Sequence, residues 1–255
     1  MDILRTEHLT MQFGGLTAVN DVSVGIPKGC IFGLIGPNGA GKTTLFNMIS
    51  GVYAPTQGRV IFQDREIQGM PPHKVNSMGI ARTYQNINLF KKMTVLDNVL
   101  VGCHTQTRSG FWPSLLHLPE QRREEDAARE KCMDILAFME LADKAQFPAS
   151  GLSYGEQRRL EIGRALASEP DMLLLDEPAA GMNGTEKDEL MQIIRRIARK
   201  EITVLLVEHD MKLVMNVTHT ICVINFGRMI AFGTPEEIQQ DPQVIEAYLG
   251  GGLDV

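Results

Sequence analysis

The sequence predicts an α/β protein whose core is a parallel sheet, with an antiparallel β-subdomain near the N-terminus and a helical subdomain inserted in the core. Three patterns predict this class: short apolar runs alternating with helical periodicity, turn-separated strands in the first ~70 residues, and one long helical stretch. The 255 residues, 44% of them hydrophobic, suffice for one large domain. We therefore predict a single domain over 1–255, with the helical subdomain over about 90–160.

The N-terminal segments 3–13, 20–26 and 59–62 alternate apolar and polar residues, and turns that contain Gly or Pro separate them. This period of two is typical of strands that bury one face. In contrast, segments 30–35, 172–175 and 203–207 are almost continuously apolar. Because continuous apolar strands are typical of a parallel sheet covered on both faces, these three are predicted to form the core.

Helical patterns occupy much of the remaining chain. Residues from about 93 to 168 are predicted to be mostly helical, and the polar start of 120–140 indicates a solvated helix face. The segment 108–119 contains the only Trp and fits either a satellite of the core or a partner contact. Residues 235–249 are predicted to form one helix, which the glycines at 250–252 end.

Composition excludes several classes of protein. With 25 Lys and Arg against 31 Asp and Glu, the net charge of −6 provides no general attraction to nucleic acid. The N-terminus has no secretory signal pattern, and no run approaches the roughly 18 apolar residues of a membrane span. Four scattered cysteines without a CxxC spacing favour reduced thiols in the cytosol over a zinc site or a disulfide framework.

The strongest chemical signal fits the phosphate-loop pattern G-x-x-x-x-G-K-[ST], between an apolar strand and a helical run. Glycines allow backbone N–H groups to surround a triphosphate at a helix N-terminus. Lys42 would reach the β- and γ-phosphates, and the Thr43 hydroxyl would bind Mg²⁺. The predicted nucleotide-binding residues here are Gly36, Pro37, Asn38, Gly39, Ala40, Gly41, Lys42, Thr43 and Thr44.

Two carboxylates follow the apolar run 172–175, at the end of a strand where ligands of α/β sheets bind. Asp176 is predicted to hold Mg²⁺, and Glu177 to polarise an attacking water as general base. Downstream, 203–207 leads into His209. A His at the end of a strand is often a surface or capping residue, but beside a γ-phosphate it would hydrogen-bond the phosphate and the water. A metal-ligand role is not expected, because no His/Cys cluster surrounds it.

Ser153 and Glu156 form an S-x-x-E capping box before an apolar-periodic helix. The pattern fits a well-capped helix, and it equally fits a second anion-binding helix N-terminus in which Ser153 and the Gly155 N–H face a phosphate. A P-loop GTPase would need an N-K-x-D segment, which the sequence lacks. A kinase would need a second substrate site, and no sequence pattern indicates one.

Together, GPNGAGKT, LSYGEQ, LLLDEP and VEHD, in this order, resemble an ABC-type ATPase, the nucleotide-binding subunit of a transporter. The resemblance covers essentially the whole chain. It implies that Phe13 stacks on adenine and that Gln85 senses Mg²⁺ and the membrane subunit. The catalytic set is then Glu177, His209 and Gln85, and the metal set is Thr43, Gln85 and Asp176.

The resemblance also implies a signature motif that contacts ATP held by a partner cassette: Ser153, Tyr154, Gly155, Glu156 and Gln157. The usual family wording is LSGGQ, so Tyr154 and Glu156 depart from it, while the phosphate-facing Ser153 and Gly155 are retained. In the dimer-contact loop at 179–183, Asn183 replaces the Asp of many members, which puts communication across the dimer in question.

Local wording, including VEHDMKLVM and AFGTPEEIQQDPQVIEAYLG, resembles the longer ATPase subunit of branched-chain amino acid importers. This implies ATP and Mg²⁺, a second ATPase subunit (self or paralogue), two permeases, an extracytoplasmic solute-binding protein acting indirectly, and a peripheral place on the cytoplasmic face of the inner membrane. Lipopolysaccharide export, a non-transport ABC ATPase and a module that holds ATP without turnover are the alternatives. Coiled-coil arms, zinc hooks or a second cassette would favour the non-transport reading, and the chain has none.

Overall fold

The structure, a computed structural model, describes the backbone of residues 1–103 and 119–249 and the side chains of 1–103 and 126–248. The predictions for 108–119 and for the terminal glycines therefore lie outside the described residues, except that Pro119 begins a helix. Contacts divide the chain into two compact units, Met1–Arg82 with Asp171–Val255, and Thr83–Pro170. The second is the mainly helical unit, and the single-domain interpretation of 1–255 stays a prediction.

Ten strands occur in the described residues, and seven of them overlap an apolar or alternating run in the sequence. In chain order they are β1 (Asp2–Phe13), β2 (Leu16–Pro27), β3 (Ile31–Ile35), β4 (Gln57–Phe62), β5 (Arg65–Glu66), β6 (Ile80–Arg82), β7 (Met172–Asp176), β8 (Thr203–Val207), β9 (Thr220–Asn225) and β10 (Arg228–Gly233).

The helices of the described residues separate these strands and form most of the helical unit. They are α1 (Lys42–Ile49), α2 (Pro72–Ser77), α3 (Val95–Cys103), α4 (Pro119–Phe138), α5 (Tyr154–Leu166), α6 (Gly184–Ala198), α7 (Met211–Val217), α8 (Pro235–Gln240) and α9 (Pro242–Leu249). None of the helices in the described segments is both long and apolar enough to cross a lipid bilayer.

Four N-terminal strands form an antiparallel sheet in the order β2-β1-β4-β5, which confirms the predicted β-subdomain. Gly14 makes the tight turn between β1 and β2 with φ +58°, a conformation that costs glycine little. Leu4, Leu9 and Val22 are fully buried, because alternation directs one face of the strands into the core.

A second sheet has the order β10-β9-β3-β8-β7-β6 and supplies the buried centre of its unit. The pairs from β9 to β6 are parallel, and every residue of β3, β7 and β8 is buried, which confirms the predicted core strands. The sheet also has an antiparallel edge, since β10 forms a hairpin with β9. Neither this edge nor the short strand β6 was predicted, because β6 has only three residues and β10 is half exposed.

The prediction of one helix over 235–249 is wrong, because the segment forms two helices, α8 and α9. Asp241 between them is extended, with φ −72° and ψ +120°. Pro242 has no N–H to donate and disfavours helical geometry in the residue before it, so the first helix ends there and a new one begins. By contrast, α6 buries Leu190, Ile193, Ile194 and Ile197, the face that its periodicity predicts.

Within the helical unit, α3 and α5 approach so closely that a Cβ on Gly102 would lie 2.1 Å from the carbonyl oxygen of Arg164. Only a glycine fits at this contact between backbones. Helix α4 follows the predicted polar stretch, and 126–130 along it is exposed except for one half-buried residue, as expected of a solvated face. Further along, Leu136 is buried and anchors α4 to the unit.

Candidate functional site

The predicted phosphate loop connects β3 to α1 and contains glycines whose conformation other residues rarely adopt. Gly36 has φ +152°, and a Cβ there would lie 2.0 Å from the Ile224 carbonyl oxygen. Gly41 has φ +103°, and its Cβ would lie 2.4 Å from the Ala18 carbonyl oxygen. The backbones of β9 and β2 therefore pack directly against the loop, and no side chain fits at Gly36 or Gly41.

Lys42 is the first residue of α1 and is only 8% exposed. Its Nζ donates to the carbonyl oxygens of Gly36 (2.6 Å) and Pro37 (2.9 Å), so the cation lies against the loop that its own helix follows. Burial lowers the pKa of Lys42, and the negative charge of Glu177 opposes that shift. The ammonium is thus held where an incoming anion can replace its two carbonyl partners.

The outer side of the loop is fixed by the β9–β10 hairpin. The Gly227 N–H donates to the Ala40 carbonyl oxygen (2.8 Å), and the Gly227 carbonyl accepts from the Asn20 N–H (2.8 Å). Through Asn20, the β9–β10 hairpin is tied to β2, and Phe13 ends β1, the strand that pairs with β2. Phe13 is 43% exposed and meets Tyr53 edge-on, with ring centroids 5.5 Å apart. An aromatic face at the tip of the β1–β2 hairpin is available to a planar ring.

Asp176 ends β7 and is almost fully buried, with its Oδ2 3.2 Å from Nη2 of Arg82. The same guanidinium donates to the Asn47 side-chain oxygen (2.7 Å) and to the Ser50 hydroxyl (2.8 Å), both at the end of α1. Arg82 therefore connects the carboxylate strand to the helix that follows the phosphate loop. Arg82 was missed in the sequence analysis, because it is a single charged residue at the end of β6, a strand that was not predicted.

Glu177 follows Asp176 in a left-handed conformation, with φ +45°, and its side chain is 25% exposed. Its N–H donates to the Val207 carbonyl oxygen (2.9 Å), which holds the residue at the ends of β7 and β8. His209 lies beside it, with Nδ1 3.8 Å from Glu177 Oε2. The structure thus brings together the predicted base and the predicted His, both open to solvent. A non-glycine residue at positive φ is a strained arrangement found disproportionately at functional sites.

Glu208 was not predicted as a site residue, yet it anchors two loops of the site. Its side chain is 1% exposed; Oε1 accepts from the Ala179 N–H (2.8 Å) and Oε2 from the His209 N–H (3.1 Å). Burial raises the pKa of the Glu208 carboxyl, and the backbone donors oppose the shift. One side chain therefore fixes both the segment after Glu177 and the segment that carries His209.

An open cavity of about 1000 Å³ borders the phosphate loop. It is lined by Gly36, Pro37, Asn38, Gly39, Ala40, His209, Asn225, Phe226, Ile230, Gln243, Glu246, Ala247 and Tyr248. His209 therefore shares one space with the loop glycines. Thr43 is exposed and Thr44 half-buried, so both hydroxyls remain within reach of a ligand at the start of α1.

The predicted capping box at α5 is confirmed in the helical unit. The Ser153 Oγ accepts from the Glu156 N–H (3.3 Å), and the Glu156 carboxylate accepts from the Ser153 N–H (2.9 Å). Glu156 also forms an ion pair with Lys144. Burial raises the pKa of Glu156, but hydrogen bonds from Lys144 and Ser153 outweigh it and leave that pKa below its usual value. Because the Ser153 oxygen accepts here, its O–H remains a donor.

The other three residues of this predicted motif differ in exposure. Tyr154 is 42% exposed, whereas Gly155 is buried, and Gln157 donates through Nε2 to the Leu152 carbonyl oxygen (2.8 Å). The Gln157 amide is thus committed to the backbone that precedes the helix. The large exposed side chain stands where the usual wording of the family has glycine.

Gln85 is exposed, and its backbone is held by a side chain that sequence reasoning missed. Arg158 on α5 is fully buried; its guanidinium donates to the carbonyl oxygens of Tyr84 and Gln85 (2.7 Å each) and pairs with Glu161 at 2.7 Å. The Gln85 backbone is therefore hydrogen-bonded to α5, the helix that Ser153 caps. The only sequence signal for this buried pair was the i, i+3 spacing of Arg158 and Glu161, and pairs with this spacing usually lie on the solvated face of a helix.

Asn183 caps α6 with a second capping box. Its side chain accepts from the Glu186 N–H (3.0 Å), and the Glu186 carboxylate accepts from the Asn183 N–H (3.0 Å). Asn and Asp are about equally good at this position. The departure at Asn183 is therefore structurally conservative.

The predicted residues fall into the two compact units. Phe13, Lys42, Asp176, Glu177 and His209 belong to one, whereas Gln85 and 153–157 belong to the other. Among the described side chains, no group of three or more His, Cys, Asp or Glu could by itself hold a metal ion. In the first unit, a glycine loop, a lysine, two strand-end carboxylates and a His offer the parts for binding a triphosphate and activating water.

Two family descriptions match the chain. "ABC transporter" matches residues 19–180, and "Branched-chain amino acid ATP-binding cassette transporter" matches residues 228–254. The first covers the phosphate loop, the capped helix α5 and the carboxylate strand. The second begins at β10 and includes α8 and α9.

Curated relatives and solved structures are similar over nearly the full chain. The High-affinity branched-chain amino acid transport ATP-binding protein LivG of Salmonella typhimurium is 46% identical, and BraF of Pseudomonas aeruginosa, with the same description, is 47% identical. Each alignment covers 97% of this chain and 98% of the relative. A solved ADP conformation of an ATP-binding cassette of an ABC transporter has a TM-score of 0.85 at 34% identity, covering 98% of this chain and 99% of that one.

Proposed function

This chain belongs to the ABC transporter family as one of its ATP-binding ATPases, and we propose that it powers an importer of branched-chain amino acids. The observation that carries the proposal is the 46% identity, over 97% of the chain, to a protein described as a transport ATP-binding protein for that solute class. The separate match of residues 228–254 to the branched-chain family supports this branch over lipopolysaccharide export.

In this function the loop 36–43 surrounds the triphosphate with backbone N–H groups at the N-terminus of α1. Lys42 exchanges its two carbonyl partners for phosphate oxygens, a stronger charge-assisted interaction. The exposed Phe13 ring stacks on adenine, and the edge contact from Tyr53 keeps it in place. The affinity for ATP then comes from contacts to the phosphates at one end of the nucleotide and from stacking on adenine at the other end.

The residues fit Mg²⁺, because the metal prefers oxygen ligands and usually keeps several waters. Thr43 offers an exposed hydroxyl at the start of α1, and Asp176 a carboxylate at the end of β7. Gln85 would add an amide oxygen from the helical unit. When bound, the metal ion would neutralise phosphate charge. Arg82 pairs with Asp176 and orients that carboxylate.

Hydrolysis needs a base that takes a proton from the attacking water. Glu177 is placed for this role by its left-handed backbone and by the hydrogen bond from its N–H to Val207. His209 lies beside it and would hydrogen-bond the γ-phosphate and the water. Buried Glu208 holds both segments, so the base and the His keep a fixed relation as the proton moves.

A second cassette, either another copy or a paralogue, completes the site. The α5 N-terminus of one subunit would close on the γ-phosphate held by the loop of the other, with the Ser153 O–H as a donor. The exposed Tyr154 and the ion-paired Glu156 would lie at that contact. ATP would then hold the two subunits together, and hydrolysis would release them.

Two membrane permeases and, indirectly, an extracytoplasmic solute-binding protein complete the importer. The chain would act as a peripheral subunit on the cytoplasmic face of the inner membrane, and it would need no nucleic acid. Because other chains read the solute, the solute class rests on the relatives and not on a pocket in this chain.

The decisive test measures uptake of labelled leucine, isoleucine and valine in source cells that lack redundant importers. Glu177→Gln at the native locus keeps the shape of the base but removes its proton affinity. We expect uptake to fall to the level of a deletion strain, ATP binding to persist, and turnover to drop by about 10²–10⁴-fold.

Asp188→Asn is the matched control, because Asp188 is an exposed carboxylate within α6 and is not part of the loops of the site. It should leave uptake and turnover unchanged at equal protein abundance. Normal leucine uptake with turnover abolished in Glu177→Gln would refute the solute assignment while keeping the ATPase. Undiminished turnover would remove Glu177 as the base.

A further inference from the structure

Two cysteines that are 29 positions apart in the sequence face each other in the helical unit. Cys103 ends α3 and Cys132 lies in the second half of α4, and their sulfur atoms are 3.3 Å apart. Cys103 is 6% exposed and Cys132 fully buried. The other two cysteines lie elsewhere: Cys30 donates its S–H to the Pro27 carbonyl oxygen, and Cys222 is buried in β9.

The surroundings give the two sulfurs different chemistry. The hydrogen bond with the Cys132 thiol lowers the pKa of Cys103; burial opposes this shift, and the positive charge of Lys131 assists it. The pKa of Cys132 is raised by the same hydrogen bond and by burial. Cys103 is the more exposed of the two and its pKa is lowered, so we assign it as the nucleophile of the pair, and the fully buried Cys132 remains a thiol that can respond.

We propose that Cys103 and Cys132 form a redox modification site, at which a hydroperoxide converts the dithiol into a reversible disulfide. The Cys103 thiolate attacks the peroxide oxygen, the O–O bond breaks, and Cys103 becomes a sulfenic acid while an alcohol or water leaves. The Cys132 sulfur then attacks the sulfenic sulfur and expels water. Two electrons pass from the two thiols to the O–O bond, and a cellular dithiol reverses the step.

The position of the pair connects it to the signature helix. Gly102, next to Cys103, lies against the backbone of α5 at Arg164, where no side chain fits. To form the disulfide, the sulfurs must approach from 3.3 Å to about 2.05 Å. The part of this approach that side-chain rotation does not supply would shift the end of α3 toward α4 at its contact with α5, the helix that begins with Tyr154.

The test exposes the full-length protein to graded hydrogen peroxide and measures the intact mass. We expect a loss of about 2 Da, mapped to a Cys103–Cys132 peptide and reversed by a thioredoxin-type reductant. In Cys132→Ala the reaction should stop at a Cys103 sulfenic acid that dimedone traps. Cys30→Ala is the matched control and should still form the disulfide, because burial raises the pKa of Cys30 to about 11.

A second measurement needs no variant. Phenylarsine oxide bridges two adjacent thiols with loss of water, so the reduced protein should take up one equivalent and the oxidised protein none. ATP turnover should fall by about 2- to 30-fold on oxidation and recover on reduction, the range that follows from typical coupling energies along packed contacts.

Several outcomes would overturn the proposal. Oxidation that begins at Cys30 or Cys222, or that proceeds to sulfinic acid without a disulfide, would refute the modification site. A loss of turnover that is equally large in Cys132→Ala would refute the link to α5, because that variant cannot form the disulfide. Turnover that stays unchanged although the disulfide forms would refute the same link.

Discussion

Helices α1 and α5 both begin at points proposed to face phosphate, yet their N-termini are constructed in opposite ways. α1 follows Gly41, which has no side chain to cap the helix, and its first residue is the buried Lys42. α5 follows Ser153, and a complete capping box with Glu156 satisfies two backbone N–H groups there. A helix leaves its first four N–H groups without partners inside the helix, so the two N-termini differ in which other groups these N–H groups can bind.

The difference indicates where each helix obtains its stability. At α1 the glycine loop offers backbone donors to an anion, and Lys42 is held in place by two hydrogen bonds to carbonyl oxygens that phosphate oxygens can replace. At α5 the cap, the Lys144 ion pair and the buried Arg158–Glu161 pair hold the helix without a ligand. One N-terminus therefore depends on nucleotide for its partners, whereas the other has side-chain partners for two of its N–H groups before any ligand binds.

Arg158→Ala should have the largest effect and act without nucleotide. It leaves the buried Glu161 carboxylate without its cation, which costs about 3–5 kcal/mol in the free energy of unfolding. Chemical denaturation of the nucleotide-free protein measures this. The double variant Arg158→Met/Glu161→Leu should recover only part of the loss, because the carbonyl oxygens of Tyr84 and Gln85 still lose their donors. A single variant that costs less than about 1 kcal/mol would contradict the claim that α5 is self-sufficient.

Lys42→Ala should act mainly through ligand. Removal of a hydrogen bond to a charged group costs about 1.5–3 kcal/mol, so ATP affinity should fall roughly 10- to 100-fold. The free energy of unfolding without nucleotide should change less, since removing Lys42 also removes the cost of burying its ammonium, which offsets the two lost carbonyl contacts. Titration with a fluorescent ATP analogue measures the affinity, and the exposed Lys28→Ala is the control. An unchanged dissociation constant would refute the assigned phosphate contact.

Ser153→Ala and Ser153→Asp separate the two roles of the α5 cap. Ala loses the cap and should cost about 1 kcal/mol of unfolding free energy, whereas Asp is an equally good cap and should cost almost none. If the Ser153 hydroxyl meets a γ-phosphate, however, the added charge of Asp should abolish turnover. Thermal unfolding and steady-state hydrolysis, measured on both variants, decide this. An active Ser153→Asp would leave only the structural role.

Asn183→Asp should have the smallest effect. Both residues cap helices well, so the free energy of unfolding should stay within about 0.5 kcal/mol of the original. Any change in turnover would then report on contact across the proposed dimer, because stability is held constant. A loss of more than about 1 kcal/mol would mean that the capping box at α6 requires the amide.

The strong sequence patterns predicted the parts of the fold where neighbouring residues in the chain decide the structure. The phosphate loop, the buried strands β3, β7 and β8, and the capping box at Ser153 depend on glycine conformation, apolar runs and local hydrogen bonds. The break at Pro242 was missed although its signal is local, because the apolar periodicity on both sides of it suggested one helix.

The missed site residues share a different cause. Arg82, Arg158 and Glu208 are charged residues whose burial is decided by distant segments, and nothing in their neighbours in the chain predicts it. Arg158 meets Tyr84 and Gln85 across more than 70 positions. Similarly, Cys103 and Cys132 look scattered in the sequence and become neighbours only when α3 packs against α4. Long-range pairing of this kind lies outside what periodicity can indicate.

The Glu208 carboxylate binds the backbone N–H groups of Ala179 and His209 at the same time. A fluctuation that withdraws this side chain therefore exposes both amides together, although 30 positions separate them in the chain. In hydrogen–deuterium exchange the two amides should lose protection at matching rates, and a bound nucleotide that slows one should slow the other equally. The two loops thus open and close as one cooperative unit. The unit stays closed for as long as the Glu208 carboxylate keeps its two hydrogen bonds.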